Sequence, residues 1–70
     1  MNYVCTDVRF LFFDGLSRYT VEYCYGLSKW FIFNDTETSN AIFQKEDKRT
    51  RSTISFDKAK DILYEFLLIN

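Results

Sequence analysis

The sequence predicts an α+β domain, an antiparallel meander of three or four strands followed by one C-terminal helix packed on one face of the sheet. Residues 3–33 contain three runs of alternating β-forming side chains, and glycine-containing turns separate them. Residues 55–70 (SFDKAKDILYEFLLIN) carry apolar side chains at helical spacing. The expected order of elements is therefore β-β-β-(β)-α, in a single domain that covers residues 1–70.

The predicted strands follow from alternation along the chain. Residues 3–13 (YVCTDVRFLFF) form the first strand and residues 18–25 (RYTVEYCY) the second. The stretch KWFIFND at residues 29–35 contains the third strand, and AIFQK at residues 41–45 is a candidate for a short fourth. Because successive side chains of a strand point to opposite faces, each of these runs presents one set of residues to each face.

The first hairpin turn has two readings. Asp14-Gly15 tolerates the positive φ angles of a tight turn, and a strict two-residue loop there places Phe13 opposite Leu16. A four-residue loop, 14–17, shifts every partner by two positions. Both loops leave the same residues on the same face, so the face assignment does not depend on the register.

The second turn, at Gly26-Leu27, sets Tyr23 opposite Trp30 and continues the first face of the sheet. We expect the helix to cover this face, whose apolar residues are Val8, Phe10, Tyr19, Val21, Tyr23, Trp30 and Ile32. The helix is predicted to begin after Ser55 as N-cap. Its apolar stripe consists of Phe56, Leu63, Phe66 and Leu67.

Composition excludes several classes of function. The chain has 70 residues, a net charge of −1 and no histidine, so the commonest general base and neutral metal ligand are missing. No phosphate-binding glycine loop, nucleophile pair or four-ligand metal spacing occurs. We therefore expect no catalytic residues, no cofactor and no metal. No run of 18 apolar residues and no basic leader occur either, and we expect a cytoplasmic protein without a membrane partner.

The two cysteines, Cys5 and Cys24, fall directly opposite each other if the first hairpin has the strict two-residue loop. That placement is compatible with a disulfide. Because the sequence carries no export signal, we interpret them as reduced, half-buried residues of a cytosolic protein.

The second face of the sheet supplies the candidate binding site. One helix covers one face, and the other face then presents aromatic residues to water, which forgoes roughly 1.5 to 3 kcal/mol for each large side chain. Apolar patches rimmed by charges usually mark interfaces. The basic segment 45–51 (KEDKRTR) is either part of the rim or a solvated loop. The candidate partner-binding residues are Leu11, Phe13, Phe31 and Phe33, with Arg9, Arg18, Lys29, Lys48, Arg49 and Arg51 at the rim.

Three coverings of this face are open: the chain's own loop at residues 34–52, a second copy in a homodimer, or a different macromolecule. We expect a non-catalytic module that binds a larger protein or ribonucleoprotein complex. By analogy of size and composition, it is expected to be a phage or mobile-element inhibitor of a bacterial host or defence complex, similar to anti-CRISPR proteins and acting by steric occlusion. The alternative is a sheet-based nucleic-acid binder that uses exposed aromatics and the 45–51 segment, and the near-neutral charge counts against it.

Overall fold

The computed structural model describes residues 8–35 and 40–69 of the chain. The described residues form β1 (Val8–Asp14), β2 (Ser17–Cys24), β3 (Lys29–Asn34), β4 (Phe43–Glu46), a 3-10 helix (Arg51–Thr53) and α1 (Phe56–Ile69). The strands lie side by side in the order β1-β2-β3-β4, and each neighbouring pair is antiparallel. The predicted α+β meander with one C-terminal helix is confirmed, and the fourth strand is present. Residues 3–7 of the first predicted strand lie outside the described residues.

The β1–β2 hairpin adopts the register shifted by two. Asp14 pairs with Ser17 and Phe13 pairs with Arg18, so the loop consists of Gly15 and Leu16. Gly15 has a φ of 61°, and a glycine at the first loop position is the arrangement that type II′ hairpins use. Asp14 therefore closes the strand instead of entering the turn. The sets of residues on the two faces remain those predicted, because a shift of two preserves the alternation.

The remaining strand pairs have the predicted faces. Tyr23 lies opposite Trp30 and Val21 lies opposite Ile32, as the sequence predicts. On the far side of β3, β4 pairs so that Ile32 lies opposite Phe43. The helix-covered face therefore continues across the four strands.

Helix α1 begins where the sequence predicts. Ser55 is its N-cap, and its Oγ accepts a hydrogen bond of 3.1 Å from the backbone N–H of Lys58. Ala59, Ile62 and Leu63 are buried against the sheet. Phe56, which the sequence places in the buried stripe, is instead 51% exposed, because it lies in the first turn, close to the edge strand.

The core lies between α1 and the sheet. Its buried members are Phe12, Tyr19, Val21, Tyr23, Trp30, Ile32, Ala59, Ile62 and Leu63. Phe10, Phe66 and Leu67 pack against this cluster while remaining partly exposed. Five of the seven residues predicted for the helix-covered face are in the buried cluster. No helix within residues 8–35 and 40–69 is long and apolar enough to cross a membrane.

Cys24 corrects the interpretation of the cysteines as reduced. It is fully buried at the end of β2 and is disulfide-bonded. Cys5 is the other cysteine of the sequence and lies outside the described residues. The interpretation rested on the expected compartment, which does not determine whether two sulfur atoms are close enough to bond.

Candidate functional site

The outer face of the sheet, meaning the face turned away from α1, carries seven of the ten candidate binding residues. The strand registers place them there by alternation, with Phe13 opposite Arg18 and Leu11 opposite Thr20. On this face lie Arg9, Leu11, Phe13, Arg18, Lys29, Phe31 and Phe33.

Exposure divides these residues into two groups. Phe31 is 5% exposed, although α1 lies on the other side of the sheet. Phe33 is half-buried, and its ring lies 6.5 Å from that of Phe31, centroid to centroid. By contrast, Leu11 is 48% and Phe13 is 69% exposed. The accessible apolar area of the outer face is therefore on β1, at the edge of the sheet.

Two arginines stand beside this apolar area, and each is held by a carboxylate of the same chain. Nε of Arg9 lies 3.1 Å from Oε2 of Glu22, the residue directly opposite it on β2. Nε of Arg18 lies 3.2 Å from Oδ2 of Asp35, whose Oδ1 also accepts a hydrogen bond of 2.9 Å from the hydroxyl of Thr20. Both carboxylates are more buried than their arginines, so the charged guanidinium groups remain largely in water.

We call Arg9, Leu11, Phe13 and Arg18 the β1 patch. Arg9 and Leu11 are on the same side of one strand, two residues apart, and Phe13 follows with Arg18 opposite it. The patch combines two exposed apolar side chains with two arginines whose positions are fixed by ion pairs. This combination is suited to contact with another macromolecule, because aromatic residues and arginine are enriched at interface centres.

Glu22 and Asp35 are the site residues that the sequence analysis missed. Nothing in their immediate sequence indicates a partner. Only the observed register puts Glu22 opposite Arg9, whereas the strict two-residue loop would put it opposite a different residue. The opposite charges of residues 9 and 22 do indicate an ion pair. That indication can be used only when the register of the two strands is known.

The basic segment 45–51 does not join the β1 patch. Nε of Arg49 lies 2.8 Å from Oδ2 of Asp47, and Nζ of Lys45 lies 2.6 Å from Oε1 of Glu65 on α1. The guanidinium of Arg51 lies over the ring of Tyr25, 4.8 Å from its centroid. Lys48, the fourth cation, is exposed and makes no such contact with the described residues.

These contacts hold the segment against the helix-covered side of the sheet. The hydroxyl of Tyr23 donates to the carbonyl oxygen of Asp47 and accepts a hydrogen bond of 2.9 Å from the backbone N–H of Arg49. The indole Nε1 of Trp30 donates to Oδ2 of Asp47 at 3.0 Å. Arg49 and Arg51 are therefore near core residues, on the side of the sheet away from Leu11 and Phe13.

Asp47 is the group whose ionisation this cluster changes. Partial burial raises the pKa of its carboxyl, but hydrogen bonds from Arg49 and Trp30 and the charges of Arg49 and Lys58 outweigh that effect. The net result is a pKa below the usual 3.8. The ionised carboxylate of Asp47 thus holds the segment after β4 against the buried indole of Trp30 through a hydrogen bond.

The fold and the β1 patch together define the class of this protein as a small α+β domain with an arginine-flanked apolar edge. Comparisons with protein-family models, curated protein sequences and solved structures find no match to the chain. Across residues 8–35 and 40–69, no cluster of three or more histidine, cysteine, aspartate or glutamate side chains is arranged to hold a metal ion.

Proposed function

We propose that this protein is a non-catalytic protein-binding module that docks on a larger protein or ribonucleoprotein complex through the β1 patch. The observation that carries the proposal is the exposure of Leu11 and Phe13 side by side on one strand, between Arg9 and Arg18. Full burial of a leucine or phenylalanine contributes roughly 1.5 to 3 kcal/mol. Because Leu11 is 48% and Phe13 is 69% exposed, each can make the corresponding part of that contribution when a partner covers it.

The ion pairs support the proposal because they restrict the conformations of the two arginine side chains before a partner binds. A free arginine loses rotamer freedom when it binds, at a cost of about 0.5 to 1.5 kcal/mol. Glu22 and Asp35 already restrict Arg9 and Arg18 through bonds to Nε. The remaining N–H groups of each guanidinium can donate to carboxylates or carbonyl oxygens of the partner.

We further propose that docking blocks a site on the partner, so that the protein acts as an inhibitor of a bacterial host or defence complex, similar to anti-CRISPR proteins of phages and mobile elements. The support is an analogy of size and composition, a 70-residue chain that lacks histidine and has a near-neutral net charge. A chain of this size inhibits most simply by occupying a surface, since it has little volume in which to build a catalytic pocket.

The contacts of the 45–51 segment weigh against the nucleic-acid alternative. Phosphate binding requires basic side chains that are available to contact the backbone of the nucleic acid. Three of the four cations in this segment already contact Asp47, Glu65 or the ring of Tyr25. Among the described aromatic residues of the outer face, one ring, that of Phe13, is largely exposed and available for stacking on bases.

The test is affinity capture from a lysate of the cells in which the protein acts, with the double variant Leu11→Ala/Phe13→Ala. We expect the variant to fold and to lose the partner that the wild-type chain retains. The matched control is Leu68→Ala/Ile69→Ala, which removes a second exposed apolar pair, at the end of α1, and should leave capture intact. Equal retention of the partner by the wild type and the Leu11/Phe13 variant contradicts the proposal.

The inhibitory role has its own test with the captured complex. Adding the purified protein to that complex should reduce its activity to an endpoint at one protein per binding site. The Leu11→Ala/Phe13→Ala variant should have no effect at the same concentration. A partner whose activity is unchanged when the binding site is saturated refutes inhibition, while the binding function stands.

A further inference from the structure

The outer edge of β1 carries backbone groups that point away from the sheet. The backbone N–H of Asp35 donates to the carbonyl oxygen of Arg18 at 2.9 Å, so Arg18 directs its backbone groups towards β3. By alternation, Ser17 directs its own groups towards β1 and bonds its partner Asp14. The odd-numbered residues of β1, which are Arg9, Leu11 and Phe13, therefore direct their N–H and C=O groups outwards. Among the described residues, no backbone hydrogen bond beyond the sheet involves them.

Of the features that usually prevent edge-to-edge pairing, the described part of this edge has charged side chains, Arg9 and Asp14, but no others. Natural sheets protect their edges with short strands, charged side chains, proline or bulges. β1 has seven residues in unbroken register, and the chain contains no proline. The opposite edge, β4, has four residues and ends in Lys45 and Glu46. The two edges of the sheet thus differ, and among the described residues β1 offers the longer and more apolar edge to another strand.

Apolar side chains flank the β1 edge on both faces of the sheet. Phe13 is 69% exposed on the outer face. On the other face Phe56 remains half-exposed while its ring stacks on that of Phe12, with centroids 4.8 Å apart. An added strand would pack against the edge-facing sides of both rings if it were apolar on both of its own faces. Most strands of soluble proteins are apolar on one face only, but β1 (VRFLFFD) is apolar on both.

We infer that β1 pairs antiparallel with β1 of a second copy, on a two-fold axis that passes through Leu11. The seven described residues of β1 are centred on Leu11, so this register pairs all of them. It places Leu11 opposite Leu11 of the second copy, and Arg9 opposite Phe13 of the second copy. Each arginine then faces an aromatic ring, and no like charges lie directly opposite each other. The outward backbone groups of all three odd-numbered residues become paired.

The dimer goes beyond the proposed function and does not require it. Edge pairing joins the two four-stranded sheets into one, with the two β1 patches adjacent on its outer face. Leu11 and Phe13 keep their upper surfaces free, because the new bonds lie in the plane of the sheet. A partner would then meet one symmetric apolar surface in place of two separate ones.

Sedimentation of the purified full chain over a wide range of concentrations tests the inference. We expect the mass to rise from 8.4 kDa to twice that value as the concentration increases. Leu11→Lys places two lysines opposite each other on the axis and should weaken dimerisation by about tenfold or more. The control Leu16→Lys makes the same change in the exposed turn outside β1 and should leave the dimer unchanged. A wild-type chain that stays monomeric, or equal dimerisation of both variants, overturns the inference.

A cross-linking variant tests the register without depending on the stability of Leu11→Lys. In the proposed register the two Cα atoms of residue 11 are about 5.5 Å apart, within the range that a disulfide spans. Leu11→Cys should therefore give a covalent dimer on mild oxidation, whereas Leu16→Cys should remain monomeric on a non-reducing gel. Failure of Leu11→Cys to cross-link under conditions where the wild type is dimeric overturns the two-fold axis at this residue.

Discussion

The indole nitrogen of Trp30 donates a hydrogen bond of 3.0 Å to the carboxylate of Asp47. Trp30 is fully buried on the central part of the sheet, and Asp47 follows directly after β4. The bond therefore ties the segment that leads to α1 to the core of the sheet. Trp30 is also the only tryptophan of the chain, so its fluorescence reports directly on this contact and on unfolding.

Asp47→Asn should lower the stability in a pH-dependent way. Because the folded pKa of Asp47 lies below its usual 3.8, the charged carboxylate stabilises the fold above that pH, and this contribution is lost as the pH falls through the lowered pKa. We expect a loss of about 1 to 3 kcal/mol at pH 7 that shrinks below pH 3.8. Urea unfolding followed by tryptophan fluorescence measures it. A constant difference at all pH values, or an equal effect from Asp61→Asn at an exposed helix position, contradicts this assignment.

Tyr23→Phe removes a buried hydroxyl that serves two backbone groups. The oxygen donates to the carbonyl of Asp47 and accepts from the N–H of Arg49, so both groups lose their partner in the variant. The expected cost is about 2 to 3 kcal/mol, measured by urea unfolding. Tyr64→Phe, at an exposed position of α1, is the control and should change the stability by less than about 0.5 kcal/mol. Equal effects of the two substitutions would show that the buried hydroxyl contributes nothing specific.

Ser55→Ala should shorten or fray the start of α1. The variant loses the hydrogen bond from the N–H of Lys58 to the serine oxygen, and N-cap removal costs about 1 kcal/mol. Ser55→Asp keeps an oxygen that can accept the same bond and should preserve the stability. Thermal unfolding followed by circular dichroism distinguishes the two variants. If both lose the same stability, the cap is not the cause.

The disulfide at Cys24 predicts the thiol content of the purified protein. With two cysteines in the chain, denaturation without a reductant should expose no free thiol to a thiol reagent. Reduction should then lower the free energy of unfolding by about 2 to 4 kcal/mol, since the cross-link restricts the unfolded chain. Detection of two free thiols in protein kept under air would refute the bonded state.

Much of the fold could be predicted because local signals and alternation agree. Ser55 is followed by helical spacing, and the pairing of Tyr23 with Trp30 follows from one turn. The first turn was ambiguous because the sequence allows either a two-residue loop at Asp14-Gly15 or a four-residue loop at 14–17, and the choice moved every partner of β1 by two. The assignment of side chains to the two faces of the sheet does not depend on this choice, because alternation has a period of two residues.

The candidate site was harder to predict than the fold. Alternation places Leu11, Phe13 and Phe31 on one face, but it says nothing of how deeply each is buried. Phe31 lies on a central strand and is buried, whereas Phe13 lies on an edge strand and is exposed. The partner of Arg9 depends on the register of the first hairpin, on which a single sequence gives two answers.

The meander has a consequence for how fast the chain folds. Each strand pairs with the strand next to it in sequence, so most sheet contacts join nearby residues, and such low contact order favours rapid folding. The chain contains no proline, which removes the slow isomerisation steps that delay many refolding reactions by tens of seconds. We therefore expect refolding of the oxidised protein, followed by stopped-flow fluorescence of Trp30, to finish without a slow phase. A phase lasting tens of seconds at low protein concentration would contradict this expectation.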